Sequence, residues 1–199
     1  DCVRLLGKGR SHICQAPTGF GKTYIGSAVI SEMGVRTLIV TTKTDIANQW
    51  REAVHNVTGL DYKSIGTLRA DVVDVNKPVV IAMIQSVSKQ DKYPPSVFSG
   101  FGLMLVDEVH RIQADLFNNV VWQVPARLRL GMSATPKRND GRFDMIEMHM
   151  GKILVSSEKK TIPCKILVRE SGFKLPYVPR RVKIGTTYQV KSVKFPHSA

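Results

Sequence analysis

The stretch "QAPTGFGKT", residues 15–23, nearly matches the pattern G-x-x-x-x-G-K-[ST], with Ala16 in place of the first glycine. Such a loop needs backbone N–H groups that point inward at a polyphosphate, followed by a helix whose positive end faces it. Gly19 and Gly21 supply the permissive backbone, and Ala16 fits the first position provided that its φ is negative. The stretch therefore predicts a phosphate-binding loop between a strand and a helix. The alternative is a glycine-rich structural turn.

Eight residues of this loop are predicted to bind a nucleotide. Lys22 would place a positive charge against the β- and γ-phosphates, and Thr23 would place its hydroxyl group on Mg²⁺. The full predicted set is Ala16, Pro17, Thr18, Gly19, Phe20, Gly21, Lys22 and Thr23.

Short apolar runs rich in β-branched residues alternate with segments of helical periodicity along the chain. This alternation is typical of an α/β fold with a mainly parallel sheet and helices on both faces. One helix is predicted from about Lys22 to Gly34, and another is predicted to be capped by Thr42 or Thr44 and to end at Gly59. The predicted strands are residues 11–15, 36–41, 78–84, 102–106 and 129–132.

Two adjacent carboxylates follow the apolar run in "FGLMLVDEVH", residues 101–110. Because the carboxyl ends of parallel strands meet at one edge of a sheet, Asp107 and Glu108 are expected beside the phosphate-binding loop. Asp107 would hold Mg²⁺ through its water shell, and Glu108 would orient and deprotonate an attacking water molecule. The alternative is that both acids only cap the next helix.

Small hydroxyl residues follow a third predicted strand, in "RLRLGMSATPKRNDG", residues 127–141. Ser133 and Thr135 can hydrogen-bond a neighbouring histidine or carboxylate without filling a cleft. An ordinary turn uses the same residue types. The two tryptophans, Trp50 and Trp122, have apolar neighbours in the sequence and are predicted to pack in the core rather than to stack on bases.

The net charge of +13 favours a polyanionic partner. Residues 151–199 carry 11 lysines and arginines against two acids, so residues 156–199 are predicted to be a basic extension distinct from a domain over residues 1–155. This extension, with strand-like pieces at residues 165–169 and 187–193, would either connect to a further domain or contact nucleic acid. The three cysteines have no metal-binding spacing, and no apolar run is long enough to span a membrane; a soluble protein of a reducing compartment is expected.

Taken together, "APTGFGKT", "DEVHR" and "GMSATPKRNDG" resemble the motifs of the first motor domain of superfamily 2 helicases and translocases of the DExH type. The resemblance extends over residues 11–155. More narrowly, the motifs resemble those of the branch that includes XPB-like repair helicases and phage recombination and repair helicases. In this superfamily alanine is common at the first position of the loop, which accounts for Ala16. The resemblance implies a RecA-like fold, ATP and Mg²⁺ as ligands, and an intracellular protein, cytoplasmic or, in a eukaryote, nuclear.

The resemblance also implies roles for further residues. His110, Ser133 and Thr135 would couple the nucleotide to nucleic acid, with DNA favoured over RNA. Residues 40–50 and 81–88 correspond to segments that grip the nucleic-acid backbone, although this chain departs from the usual residues at several positions. The contacts implied there are Thr42, Lys43, Gln85 and Ser86, with helix capping and solvent exposure as the alternative roles of the first two.

Members of this superfamily place ATP between two motor domains, so the resemblance implies a second RecA-like domain in the full-length protein that is absent from this chain. The leading hypothesis is an ATP-driven helicase or translocase. One alternative is a nucleotide-gated clamp that holds nucleic acid without moving along it. Another is the motor portion of a restriction-type nuclease.

Overall fold

A computed structural model describes residues 1–109, 112, 114–134, 143–157, 177–184 and 187–194 of the chain. The chain divides into two compact units, Asp1–Lys160 and Thr161–Ala199. None of the described helices combines the length and the apolar character needed to cross a membrane.

The first unit is built on one eight-stranded sheet with the strand order β4-β3-β5-β2-β6-β7-β1-β8. All neighbouring strands are parallel except β3 and β4. The strands are β1 His12–Gln15, β2 Thr37–Thr41, β3 Ile65–Arg69, β4 Val72–Asp74, β5 Val79–Met83, β6 Leu103–Val106, β7 Leu128–Ser133 and β8 Ile153–Ser156.

Helices connect these strands. They are α1 Cys2–Gly7, α2 Lys22–Met33, α3 Thr44–Thr58, α4 Ile84–Val87, α5 Ala114–Gln123 and α6 Phe143–Met150, with short 3₁₀ helices at Tyr62–Ser64 and Pro95–Phe98.

The sheet has a hydrophobic core on each face, because successive side chains of a strand point to opposite sides. In β2, Leu38 and Val40 belong to the core that α4, α5 and α6 cover, whereas Ile39 belongs to the core that α1, α2 and α3 cover. The predicted α/β architecture with helices on both faces is therefore confirmed.

All five predicted strands are present, with bounds within one residue of the prediction. The sequence did not reveal β3, β4 and β8, which lie toward the two edges of the sheet. The sequences of β3 (IGTLR) and β4 (VVD) lack the continuous apolar run of a central parallel strand, and the apolar run of β8, Ile153–Val155, is only three residues long. The residues of β4 are all exposed, and β8 alternates between half-buried and exposed positions.

The helix ends were predicted in part. Gly34 and Gly59 end α2 and α3 in the left-handed conformation, with φ of 60° and 73°, as expected for C-cap glycines. The predicted cap of α3 was wrong: Lys43 occupies the N-cap position, and among the residues that the structure describes no side chain caps the helix. Thr44 is already the first helical residue, so its hydroxyl lies one position too late to act as the cap.

The two tryptophans have opposite environments. Trp50 is fully buried in the middle of α3, as predicted, but Trp122 is 78% exposed, so the prediction for Trp122 was wrong. On α5 the buried side chains are those of Phe117, Val120 and Val121, and position 122 falls outside their stripe.

The second unit contains a described antiparallel pair, β9 Tyr177–Ile184 and β10 Thr187–Lys194, in which Thr187 pairs with Ile184 and Lys194 with Tyr177. The predicted strand at residues 187–193 lies within β10. The predicted strand at residues 165–169 lies outside the described residues. The strand β9 was not predicted, and it contains Pro179, a residue that cannot donate to a ladder.

Helices α2 and α3 pack together at Gly26, where α2 has no room for a side chain. A Cβ atom at Gly26 would lie 2.4 Å from Cη2 of Trp50 and 3.0 Å from Cδ1 of Leu105. Both neighbours are buried, so neither can move away freely.

We therefore expect Gly26→Ala to lower the free energy of unfolding by about 1–3 kcal/mol through overpacking, although alanine favours helix. Gly7→Ala is the matched control, because a Cβ atom at Gly7, also in a helix, meets no atom within 4 Å. Urea denaturation followed by circular dichroism measures both. Equal effects of the two substitutions would contradict the packing described here.

Candidate nucleotide site and adjoining groove

The phosphate-binding loop leaves β1 beside the end of β7. The backbone N–H of Ala16 donates to the carbonyl of Ser133 at 2.9 Å, and the side chain of Ala16 is buried. Ala16 is not among the non-glycine residues with positive φ. The condition under which alanine fits this position is therefore met.

The loop bends at two glycines before α2 begins. Gly19 and Gly21 have φ of 79° and 81°, a conformation that disfavours any residue with a Cβ atom. Gly21 is the N-cap of α2, and among the described residues no side chain caps this end and no acid lies in its first turn. The first N–H groups of a 12-residue helix therefore point into the loop, where they favour an anion.

Lys22 meets Glu108 at the centre of the site. The Nζ atom of Lys22 lies 3.3 Å from Oε1 of Glu108, and it donates to the carbonyl of Ala16 at 3.4 Å. The Lys22 and Glu108 side chains are 10% and 16% exposed. The cation of the loop and the second acid of "DEVH" thus share one shielded cleft.

Asp107 is held by a hydrogen bond on each carboxylate oxygen. Oδ1 accepts from the backbone N–H of Glu108 at 2.9 Å, and Oδ2 accepts from the indole Nε1–H of Trp50 at 2.9 Å. Burial raises the pKa of Asp107 above its ordinary value, and the hydrogen bond from Trp50 acts in the opposite direction. The orientation of this carboxylate is therefore fixed by its surroundings.

Glu108 has a φ of 48°, in the left-handed region that non-glycine residues rarely adopt. Such a conformation costs about 1–3 kcal/mol and is found mainly where the surrounding structure imposes it, often at functional sites. Here it turns the chain directly after β6. The consequence is that Glu108 reaches Lys22 while Asp107 stays in the interior.

The donor atoms of the site suit Mg²⁺. Asp107 and Glu108 supply carboxylate oxygens, and Thr23 follows Lys22 in the first turn of α2. Within the described part of the chain, no group of three or more His, Cys, Asp or Glu residues could hold a metal ion by itself. Mg²⁺ is commonly bound through one or two carboxylates together with substrate phosphates, so the residues present fit that ion.

Of the three residues predicted to couple nucleotide and nucleic acid, the structure describes one, Ser133. Ser133 ends β7, is fully buried and accepts the hydrogen bond from Ala16 through its carbonyl. It therefore adjoins the loop. His110 and Thr135 lie outside the described residues.

A groove adjoins the nucleotide site at the carboxyl ends of β2, β3 and β5. It encloses a cavity of about 630 Å³ and brings together all four predicted nucleic-acid contacts, Thr42, Lys43, Gln85 and Ser86. Gln85 Nε2 donates to the carbonyl of Thr42 at 3.1 Å, which joins the two segments. The hydroxyl of the nearly buried Ser86 accepts from the N–H of Ala70 at 2.9 Å and so holds the turn after β3.

The groove contains basic residues that the sequence did not reveal. Its lining includes four cations and a single acid, which are Lys43, Arg69, Lys89, Lys92 and Asp45. Arg69 was missed because β3 was not predicted. Lys89 and Lys92 follow Ser86 at intervals of three, a regularity that could have indicated a shared surface.

Comparison with known proteins places this architecture in a family. The family model described as "Type III restriction enzyme, res subunit" matches residues 5–138. The chain belongs to this family. Its motifs and fold are those of the first motor domain of superfamily 2 helicases, as the sequence predicted.

Relatives with helicase names support this membership. The chain is 37% identical over 147 residues to "DNA 3'-5' helicase XPB" of Kineococcus radiotolerans, covering 71% of this chain and 26% of that protein. It is 32% identical over 142 residues to "Putative ATP-dependent RNA helicase L396" of Acanthamoeba polyphaga mimivirus, covering 71% of this chain and 27% of that protein. The chain thus spans about a quarter of the length of these relatives.

Solved structures show the same fold. The UvsW helicase of bacteriophage T4 superposes with a TM-score of 0.64 at 20% identity, covering 76% of this chain and 57% of that chain. This likeness confirms the predicted RecA-like α/β fold of the first unit.

Proposed function

We propose that this chain is the ATP-binding half of a nucleic-acid helicase or translocase. The main support for the proposal is the distance of 3.3 Å between Nζ of Lys22 and Oε1 of Glu108. This pair lies beside a helix N-terminus that offers free N–H groups to an anion. The loop and the acid come from different strands, so the sheet itself assembles the site. A polyphosphate fits this combination of charges better than any other small ligand.

In the proposed reaction the loop N–H groups and Lys22 bind the phosphates of ATP. Lys22 must then leave its ion pair with Glu108 and bind phosphate instead. The carboxylate of Glu108 is thereby released to orient and deprotonate the attacking water. Thr23 and Asp107 would hold Mg²⁺, which when bound neutralises charge on the phosphate oxygens. The other loop residues, Ala16 to Gly21, shape the backbone that surrounds the phosphates.

The groove is proposed to hold the nucleic acid. Its four cations suit a phosphate backbone, and it lies at the same sheet edge as the nucleotide site because β2 pairs with β6. His110, Ser133 and Thr135 are proposed to couple the two. We propose DNA rather than RNA as the polymer.

The proposed motor needs a second RecA-like domain. Arginine fingers from such a domain raise phosphoryl-transfer rates by about 10³-fold or more in related systems. We propose that residues 1–155 form the first motor domain and that the basic residues 156–199 lead toward the second. The isolated chain should therefore bind ATP and hydrolyse it slowly.

ATP hydrolysis by this chain and by a longer form with the second motor domain, each with and without DNA or RNA, tests the proposal. We expect at most slow hydrolysis by this chain, faster hydrolysis by the longer form, stimulation of the longer form by DNA, and loss of hydrolysis in Lys22→Ala. If neither form hydrolyses ATP while both bind nucleic acid, the motor is refuted and a nucleotide-gated clamp takes its place. Greater stimulation by RNA would refute the preference for DNA.

The salt dependence of DNA binding tests whether the groove binds the nucleic-acid backbone. Replacing Lys43 and Lys89 together by glutamine should reduce the slope of log K against log salt concentration by about 1.4 for single-stranded DNA, since each lost phosphate contact removes about 0.7. Lys63→Gln is the control, because Lys63 is also exposed but precedes β3, at the edge of the sheet opposite the groove. Equal slopes in all variants would show that the groove does not bind the DNA backbone.

A further inference from the structure

Trp50 is the one buried side chain that joins α3 directly to the acid proposed to hold the metal. Its indole ring is 0% exposed, and its Nε1–H donates to Oδ2 of Asp107 at 2.9 Å. A buried indole N–H needs an acceptor, and a buried carboxylate needs donors. The bond between Trp50 and Asp107 satisfies both requirements at once.

The far side of the same ring contacts the helix that follows the phosphate-binding loop. The Cη2 and Cζ3 atoms of Trp50 occupy the space in which a side chain at Gly26 would lie. Gly26 is one helical turn after Lys22 and three residues after Thr23. Trp50 therefore spans from the backbone of α2 to the carboxylate after β6, and its width sets the spacing between them.

The Asp107 carboxylate has no rotational freedom left in this arrangement. One oxygen is bonded to the backbone of its neighbour Glu108, and the other is bonded to the indole. The backbone bond lies within the strained turn, so among the described residues it is the indole that ties the carboxylate to a separate element. Phenylalanine could fill most of the same space but could not donate a hydrogen bond.

We propose that Trp50 is a positioning residue of the nucleotide site, which holds the Asp107 carboxylate in the orientation needed to bind Mg²⁺ with the nucleotide. This inference rests on the proposed function, since it requires a nucleotide at Lys22. Trp50 itself contacts neither phosphate nor metal. Its contribution should therefore be confined to the metal-dependent part of nucleotide binding.

The test compares ADP affinity in Mg²⁺ with ADP affinity in EDTA by titration calorimetry. In Trp50→Phe the enhancement of affinity by Mg²⁺ should fall about tenfold, as is typical when a partner of a metal ligand is lost, while affinity in EDTA stays within about twofold of wild type. Trp122→Phe, which removes the exposed tryptophan, should change neither value. In an Asp107→Asn background, Trp50→Phe should cause no further loss.

Three results would overturn the inference: an unchanged Mg²⁺ enhancement in Trp50→Phe, an equal loss of affinity with and without Mg²⁺, or additive effects of Trp50→Phe and Asp107→Asn. Failure of the proposed function looks different, because wild type would then show no ADP binding that depends on Lys22.

A second measurement does not depend on the folding of Trp50→Phe. The chain has two tryptophans, so Trp122→Phe leaves Trp50 as the only one. Its fluorescence should change more when ADP binds with Mg²⁺ than when ADP binds in EDTA, and Asp107→Asn should abolish that difference. Identical emission changes with and without Mg²⁺ would contradict a link between Trp50 and the metal.

Discussion

The parallel pairing of β6, β7 and β1 is the constraint on which the whole site depends. Because these strands run the same way, the loop after β1 and the acids after β6 emerge at one edge of the sheet, and Lys22 meets Glu108 at 3.3 Å. Reversing β1 or β6 would place one of the two partners on the opposite edge. The pairing of β2 with β6 then sets the basic groove beside the nucleotide site.

Departures from local structural preference are concentrated at this edge. Glu108 adopts a left-handed conformation, Asp107 is a buried carboxylate, and Trp50 uses a core position to donate a hydrogen bond. Each is unfavourable alone, and each is stabilised by the others and by the packed sheet beneath. The Lys22–Glu108 ion pair is part of the same network and holds the cleft in a defined form before a nucleotide arrives.

The sequence predicted the central strands and the edge that carries the candidate site because apolar β-branched runs and the spacing of the motifs are local signals. It failed where position depends on tertiary context. The strands β3 and β4, toward one edge of the sheet, carry weak apolar patterns, so Arg69 could not be assigned to the groove. Trp50 was expected in the core but not as a donor to Asp107. The signal that could have indicated this bond is that a buried indole N–H usually has a hydrogen-bond acceptor. The apolar neighbours of Trp122 concealed that it lies off the buried stripe of α5.

Lys22 is proposed to exchange Glu108 for the phosphates of ATP, and the measurement to make first is the affinity of Glu108→Gln for ATP in the presence of Mg²⁺. Removing the carboxylate charge frees Lys22 and removes repulsion of the phosphates, while glutamine keeps the size of the side chain. Affinity should rise about fivefold, or about 1 kcal/mol, even though hydrolysis is lost. An affinity that is unchanged or weaker would show that Lys22 and Glu108 do not share the phosphate site.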